Sequence, residues 1–255
     1  MIRPFLLLAL VASTASAHDF WLEPSTFRPH AGDTVAIGLR VGQDFVGDPV
    51  PRSSASIESF VIRDAAGERA IGGMENRDPA GVVKIERDGG AVVAYRSKPS
   101  SVQLAPEKFE SYLRDEGLER IIAMRKQRGD SAKPGNEIFS RCAKLLLNSS
   151  KSFGKSFSKP LGLRYELVPL TDPASDALTV RALYESKPLP GSLVVAMFRD
   201  DVDVRLEART DRDGRVTFRL PQRGVWLLKS VQMIPAPAAS GAEWESLWAS
   251  LTFER

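Results

Sequence analysis

Cysteine and histidine are scarce in this chain. One Cys (Cys142) and two His (His18 and His30) occur in 255 residues. A single thiol excludes an internal disulfide framework and every Cys-rich zinc site. Two imidazoles cannot make a three-His metal centre, and they leave little from which to build a Ser-His-Asp triad. A phosphate-cradling glycine loop, a nucleophile elbow and paired carboxylates at convincing spacing are also missing, so the chain does not read as an enzyme. Charge of one sign is lacking too. The formal charge of +3, from 35 Lys and Arg against 32 Asp and Glu, is not the concentrated excess of a nucleic-acid binder. Beyond the amino terminus no run is apolar enough to cross a bilayer, which takes roughly 20 residues.

What is present begins with an address. Residues 1–17 read MIRPFLLLALVASTASA. Arg3 is a short basic n-region, Phe5 to Ala12 an apolar h-region, and Ala15-Ser16-Ala17 a small-residue cleavage signal, the three parts of a secretory signal peptide. No Cys follows the cut, which excludes a lipoprotein anchor. The expected mature protein is periplasmic or secreted, starts at His18, and loses one positive charge with Arg3. In an oxidising compartment without disulfides, stability has to come from packed cores. A composition that is 43% hydrophobic supplies them.

Along the mature chain the hydrophobic period is mostly two. Thr34–Val41, Ile57–Ile62, Val82–Ile85 and Ala91–Arg96 read as short strands separated by Gly- and Asp-rich turns. After Leu104 the period changes to that of a helix. Pro106 suits a first helical turn, Phe109, Tyr112 and Leu113 share one face, and Gly117 ends the segment. A second helix is expected through Leu118, Ile121, Ile122 and Met124, and a third through Ile138, Cys142, Leu145 and Leu146. Between Leu118 and Pro160 stand ten Lys or Arg and three Asp or Glu. Asn148 to Pro160, rich in Ser, Lys and Gly, reads as a linker. Strands return from Leu163, including a hairpin about Asp213-Gly214. The expected fold class is mainly β: two antiparallel β-sandwiches of Ig-like type with a helical insertion between them. The expected division is 1–17 signal peptide, 18–104 first sandwich, 105–160 helical insertion and linker, and 161–255 second sandwich.

Chemistry concentrates at the mature amino terminus, His18-Asp19-Phe20-Trp21. An amino-terminal His offers its α-amine and its imidazole to one transition-metal ion; imidazole suits copper, nickel and zinc, and a second His would complete a brace for Cu(II). His18 is therefore the leading metal candidate, with His30 and Asp19 as secondary ligands; a competing reading makes Phe20 and Trp21 simply a first core strand. Cys142 lies on an apolar stripe and reads as a buried hydrophobe. Asp200, Asp201 and Asp203 lack the spaced oxygen ligands of a calcium loop. The basic helical section, with Arg125, Lys126 and Arg128, could dock on an envelope surface or acidic partner.

Several segments in order carry a resemblance: His18-Asp19-Phe20-Trp21-Leu22-Glu23-Pro24, Phe109 to Glu119, Ser140 to Lys144, Tyr165 to Pro173, Gly224-Val225-Trp226-Leu227 and Ser250 to Phe253. Together they resemble a family of bacterial exported proteins of unknown function. Some of its members are labelled periplasmic components of nickel or cobalt uptake systems. The carboxyl half, through Lys187 to Gly191 and the Asp213-Gly214 hairpin, is similar to transthyretin-like and carboxypeptidase-regulatory sandwiches. The resemblance implies a binding protein for a divalent transition metal (Ni, Co or Cu), held at His18 and passed to a metal-uptake transporter or an envelope protein. Relatives carry a His near Gln232 and Met233, where this chain has Gln232. The alternative expectation is a non-catalytic envelope scaffold or adhesion module with no metal.

Overall fold

The computed structural model describes residues 18–154 and 156–255; the signal-peptide assignment to 1–17 falls outside them. The first half holds β1 (Asp19–Pro24), β2 (Thr34–Gln43), β3 (Val46–Val50), β4 (Ile57–Asp64), β5 (Gly67–Ala70), β6 (Gly81–Lys84), β7 (Gly90–Ser97) and β8 (Ser100–Leu104). Two helices follow, α1 (Pro106–Asp115) and α2 (Glu119–Arg128). The second half begins with β9 (Gly135–Asn148), β10 (Tyr165–Pro169), β11 (Ala177–Tyr184) and β12 (Lys187–Pro188). It closes with β13 (Leu193–Phe198), β14 (Asp201–Arg209), β15 (Arg215–Arg219), β16 (Val225–Pro235) and β17 (Trp244–Glu254).

The backbone of the molecule is one nine-stranded sheet in the order β14-β13-β16-β17-β9-β7-β4-β5, with β8 beside β9. Its pairings are antiparallel except where β17 meets β9 in parallel. A small sheet of β1, β2, β3 and β6 lies on one face and a second, of β10, β11, β12 and β15, on the other. The result is the expected mainly β sandwich architecture, with the two sandwiches sharing a continuous central sheet.

Side-chain alternation sorts the cores. On β16, Trp226 and Leu228 join Leu247 and Leu251 of β17 in the core beneath the β10–β11 sheet. Val231 and Met233, of opposite parity, pack with Trp244 and Trp248 under Phe109, Tyr112 and Leu113 of α1. On the same face, Leu145 and Leu147 of β9 meet Phe20 and Leu22 of β1 and Ile37 of β2. The helices and the first small sheet therefore lie side by side on one face of the central sheet, and a cleft runs between them.

The segment expected as a third helix, Ile138 to Leu146, is instead most of strand β9. Ala143, Leu145 and Leu147 point to one core while Cys142 and Leu146 point to the other. A strand covered on both faces reads as a continuous apolar run, which periodicity alone cannot tell from a buried helix. The two other helices form where expected. Pro106 occupies the first turn of α1, and Phe109, Tyr112 and Leu113 are its buried face. α2 buries Ile121 and also, against expectation, Arg125.

Candidate functional site: a polar cleft at the head of β1

The cleft encloses about 820 Å³ between the C-terminal end of α1, the β2–β3 turn and the strands β13, β14 and β16. Its deepest groups are three charged side chains from three elements. Lys229 of β16 places its Nζ 2.7 Å from Asp19 Oδ1 of β1 and 2.7 Å from Glu116 Oε1, just past α1. All three residues are buried. Burial would lower the Lys229 ammonium, but the Glu116 and Asp19 carboxylates outweigh it and hold its pKa above the ordinary value. Burial raises the Glu116 carboxyl, and adjacent Asp19 pushes it the same way, against the pull of Lys229. Glu116 also sits at a helix C-terminus, where the backbone dipole opposes a carboxylate.

The rim is charged in both signs. Arg205 of β14 donates from Nε to Glu207 at 2.7 Å. Arg209 holds the Gly117 and Gly191 carbonyls and pairs with Glu119. The opposite wall is the β2–β3 turn, where Asp44 and Phe45 take φ of 50° and 62°. Two successive positive φ values are what a two-residue hairpin needs to match the strand twist, at a steric cost for residues other than Gly. Phe45 meets that cost by burial: its ring packs edge-on to Trp21 at 5.3 Å.

A second buried network supports α1 from below. Glu137 of β9 accepts a hydrogen bond from the Tyr112 hydroxyl at 3.4 Å. Its carboxyl is pushed up to about 8, mainly by burial, with Tyr112, Ser246 and the Arg141 charge acting the other way. The Arg141 guanidinium lies over the rings of Phe20 and Phe139, 4.9 and 5.4 Å from their centroids. From there its Nη1 donates to the His18 carbonyl at 3.2 Å.

The structure separates the residues expected to share a metal. His18 is half-buried at the head of β1, next to the Gly42–Gln43 end of β2. His30 is exposed on the turn before the other end of β2, with its Nδ1 3.3 Å from Asp88. The length of β2 puts them on the order of 30 Å apart. Asp19 neighbours His18 but is engaged by Lys229. Among the described residues no group of three His, Cys, Asp or Glu is placed to hold a metal ion. Cys142 is buried, and burial raises its thiol pKa, which disfavours the nucleophilic thiolate. Asp200, Asp201 and Asp203 are exposed at the start of β14.

Of the three basic residues expected to dock, Arg125 does not face solvent. It is fully buried, stacks on Phe109 at 4.8 Å and donates to the Asp130 and Lys133 carbonyls. Lys229, Glu116, Glu137 and Arg141 were not singled out by the sequence. A signal was there: a lone Lys in Val225-Trp226-Leu227-Leu228-Lys229-Ser230-Val231 has to be paired if the strand is buried.

A mainly β protein of two fused sandwiches, with a polar cleft where the chain enters its first strand, is the class this architecture defines. The model of the domain of unknown function DUF4198 matches residues 15–233, and the chain belongs to that family. No curated protein sequence matches it. Among solved structures, the D0–D1 domain of intimin is 12% identical, over 92% of this chain and 97% of that one, with a TM-score of 0.20. Dimeric latent PorU from Porphyromonas gingivalis is 14% identical over 95% of this chain, with the same TM-score of 0.20, and this chain spans 21% of its length. Similarity at that level carries no argument about function. Among the described residues no helix is long and apolar enough to cross a membrane.

Proposed function

We propose that the mature protein is an exported, non-enzymatic binding protein that captures a divalent transition metal, nickel, cobalt or copper, as cargo at the head of β1. The observation that carries the reading is the position of His18, half-buried next to Asp19 of the 820 Å³ cleft, with its carbonyl tied to half-buried Arg141. A first residue held by its carbonyl keeps its own amine and imidazole together as a preorganised two-nitrogen chelate. With His30 remote and Asp19 paired, the protein supplies two donors. The cleft is far larger than a bare ion, and its rim of both charge signs suits a small zwitterionic chelator filling the remaining positions. Delivery to a metal-uptake transporter or another envelope protein is the corresponding role.

Calorimetric titration with Ni²⁺, Co²⁺ and Cu²⁺, with and without glycine, tests this on chains that begin at His18 or carry one extra Ala before it. The expected result is one-to-one binding by the first chain, tightened by glycine and weakened at least tenfold by the extra residue. Equal affinity in both chains would overturn it.

A second reading, an envelope scaffold without metal, draws on α2. Arg120 and Lys126 are exposed there with no ion pair among the described residues, and Arg128 lies over Trp244 at 5.2 Å. It expects salt-sensitive association with an acidic partner that is lost on reversing Arg120 and Lys126 to Glu.

A further inference from the structure

A second, smaller cavity of about 310 Å³ opens at the far end of β1 from the cleft. Phe27 and Arg28, just after β1, form one side of it; Lys151 and Phe153, beyond β9, another; Arg223, before β16, and Glu254, ending β17, complete it. Both sandwich halves therefore contribute to one concave site. Its charge is lopsided. Arg28 gives its Nε to Glu254 at 2.7 Å, leaving the other guanidinium nitrogens of a half-exposed side chain. Lys151 and Arg223 carry no ion pair among the described residues. The Arg255 guanidinium in the wall is already committed to Asp176 and to main-chain carbonyls.

Three cationic side chains thus converge on a concavity whose lining carries a single carboxylate side chain, that of Glu254. Convergence of like charges raises the free energy of the empty site and lowers that of an anion brought into it. Guanidinium groups favour oxyanions that accept two hydrogen bonds at once, and a dianion answers several cations better than a carboxylate does. Half-buried Phe27 adds apolar surface beside the charges, with Phe153 packed behind the wall in the core. From this we infer that the cavity is a receptor for a phosphomonoester, with the phosphoryl group against Arg28, Lys151 and Arg223 and an apolar or ring body against Phe27. The site is independent of the cleft and of any metal at His18.

The test is calorimetry with phenyl phosphate, inorganic phosphate and benzyl alcohol on the full mature chain at low ionic strength. A parallel flotation assay uses vesicles of phosphatidylglycerol or phosphatidylcholine to separate a free phosphoester from a lipid headgroup. Phenyl phosphate is expected to bind one-to-one and more tightly than inorganic phosphate, and benzyl alcohol not to bind. Arg223→Ala with Lys151→Ala should weaken phenyl phosphate at least tenfold. Glu254→Gln, which frees Arg28, should strengthen it severalfold, while Lys108→Ala in the other cleft should leave it unchanged. Absence of phenyl phosphate binding at millimolar concentration, or binding insensitive to the double variant, would overturn the inference. So would flotation with phosphatidylglycerol alone and no free-ligand binding, which would make the site a membrane contact.

Discussion

Lys229 shows how much rests on single charged residues in this fold. Its ammonium is shared between two carboxylates that β1 and the end of α1 bring to the floor of the cleft. Removing one partner of a buried ion network leaves a charge with no compensation, which costs about 3–5 kcal/mol. Lys229→Met is expected to lower stability by about that much in urea denaturation, and Glu116→Gln in the same chain should restore part of it. Glu137 makes a pH-dependent case. Its folded pKa of about 8 lies above its ordinary 4.5. Between those values the folded protein holds a proton that the unfolded chain releases, so this group's contribution to stability falls as pH rises from about 5 to about 8. Glu137→Gln should gain on the parent protein across that window, by a few kcal/mol at about pH 8 and by little at about pH 5. A difference that did not change with pH would contradict the assignment.

Elements were legible in the sequence to the extent that each has one buried face. The strands β2, β4 and β6 and the helix α1 alternate or repeat clearly, and their cores follow from that. β9 did not, because it is covered on both faces, and its apolar run lacks the period that separates strand from helix. The cleft was legible only at Asp19, next to His18. Its other walls come from residues up to roughly two hundred positions away, and nothing local in Glu116 or Arg205 marks them as neighbours. The fit of β9 against α1 is tight at its first residue. A Cβ on Gly135 would enter the ring of Phe109, which is fully buried with Arg125 stacked on it. Gly135→Ala is expected to destabilise the protein by about 1–3 kcal/mol, read by thermal denaturation, with loss of protection in α1 by amide exchange.

Across the whole molecule, the parallel β9–β17 pairing matters most. It runs from Trp244 with Glu137 to Thr252 with Leu145 and merges what would be two sandwiches into one sheet. Lys144 of β9 reaches Glu166 of β10 at 2.8 Å with both buried, a further tie across the layers. Unfolding of residues 18–104 therefore strips β7 and β8 from β9 and uncovers the face of β9 and β17 on which β1 packs. A single cooperative transition is expected by circular dichroism and by Trp fluorescence alike; two separated transitions would mean that the halves are independent. At this scale the two cavities also fall into place, one at each end of β1, the strand that packs across β9 and β17.

The reading of the cleft stands on His18 being the first residue and on a metal accompanying it. Native mass spectrometry of the protein recovered from an exporting cell measures both at once. The account predicts a chain beginning at His18 and carrying one nickel, cobalt or copper ion. A chain that begins elsewhere, or one that begins at His18 and takes up no metal when offered it, would contradict it.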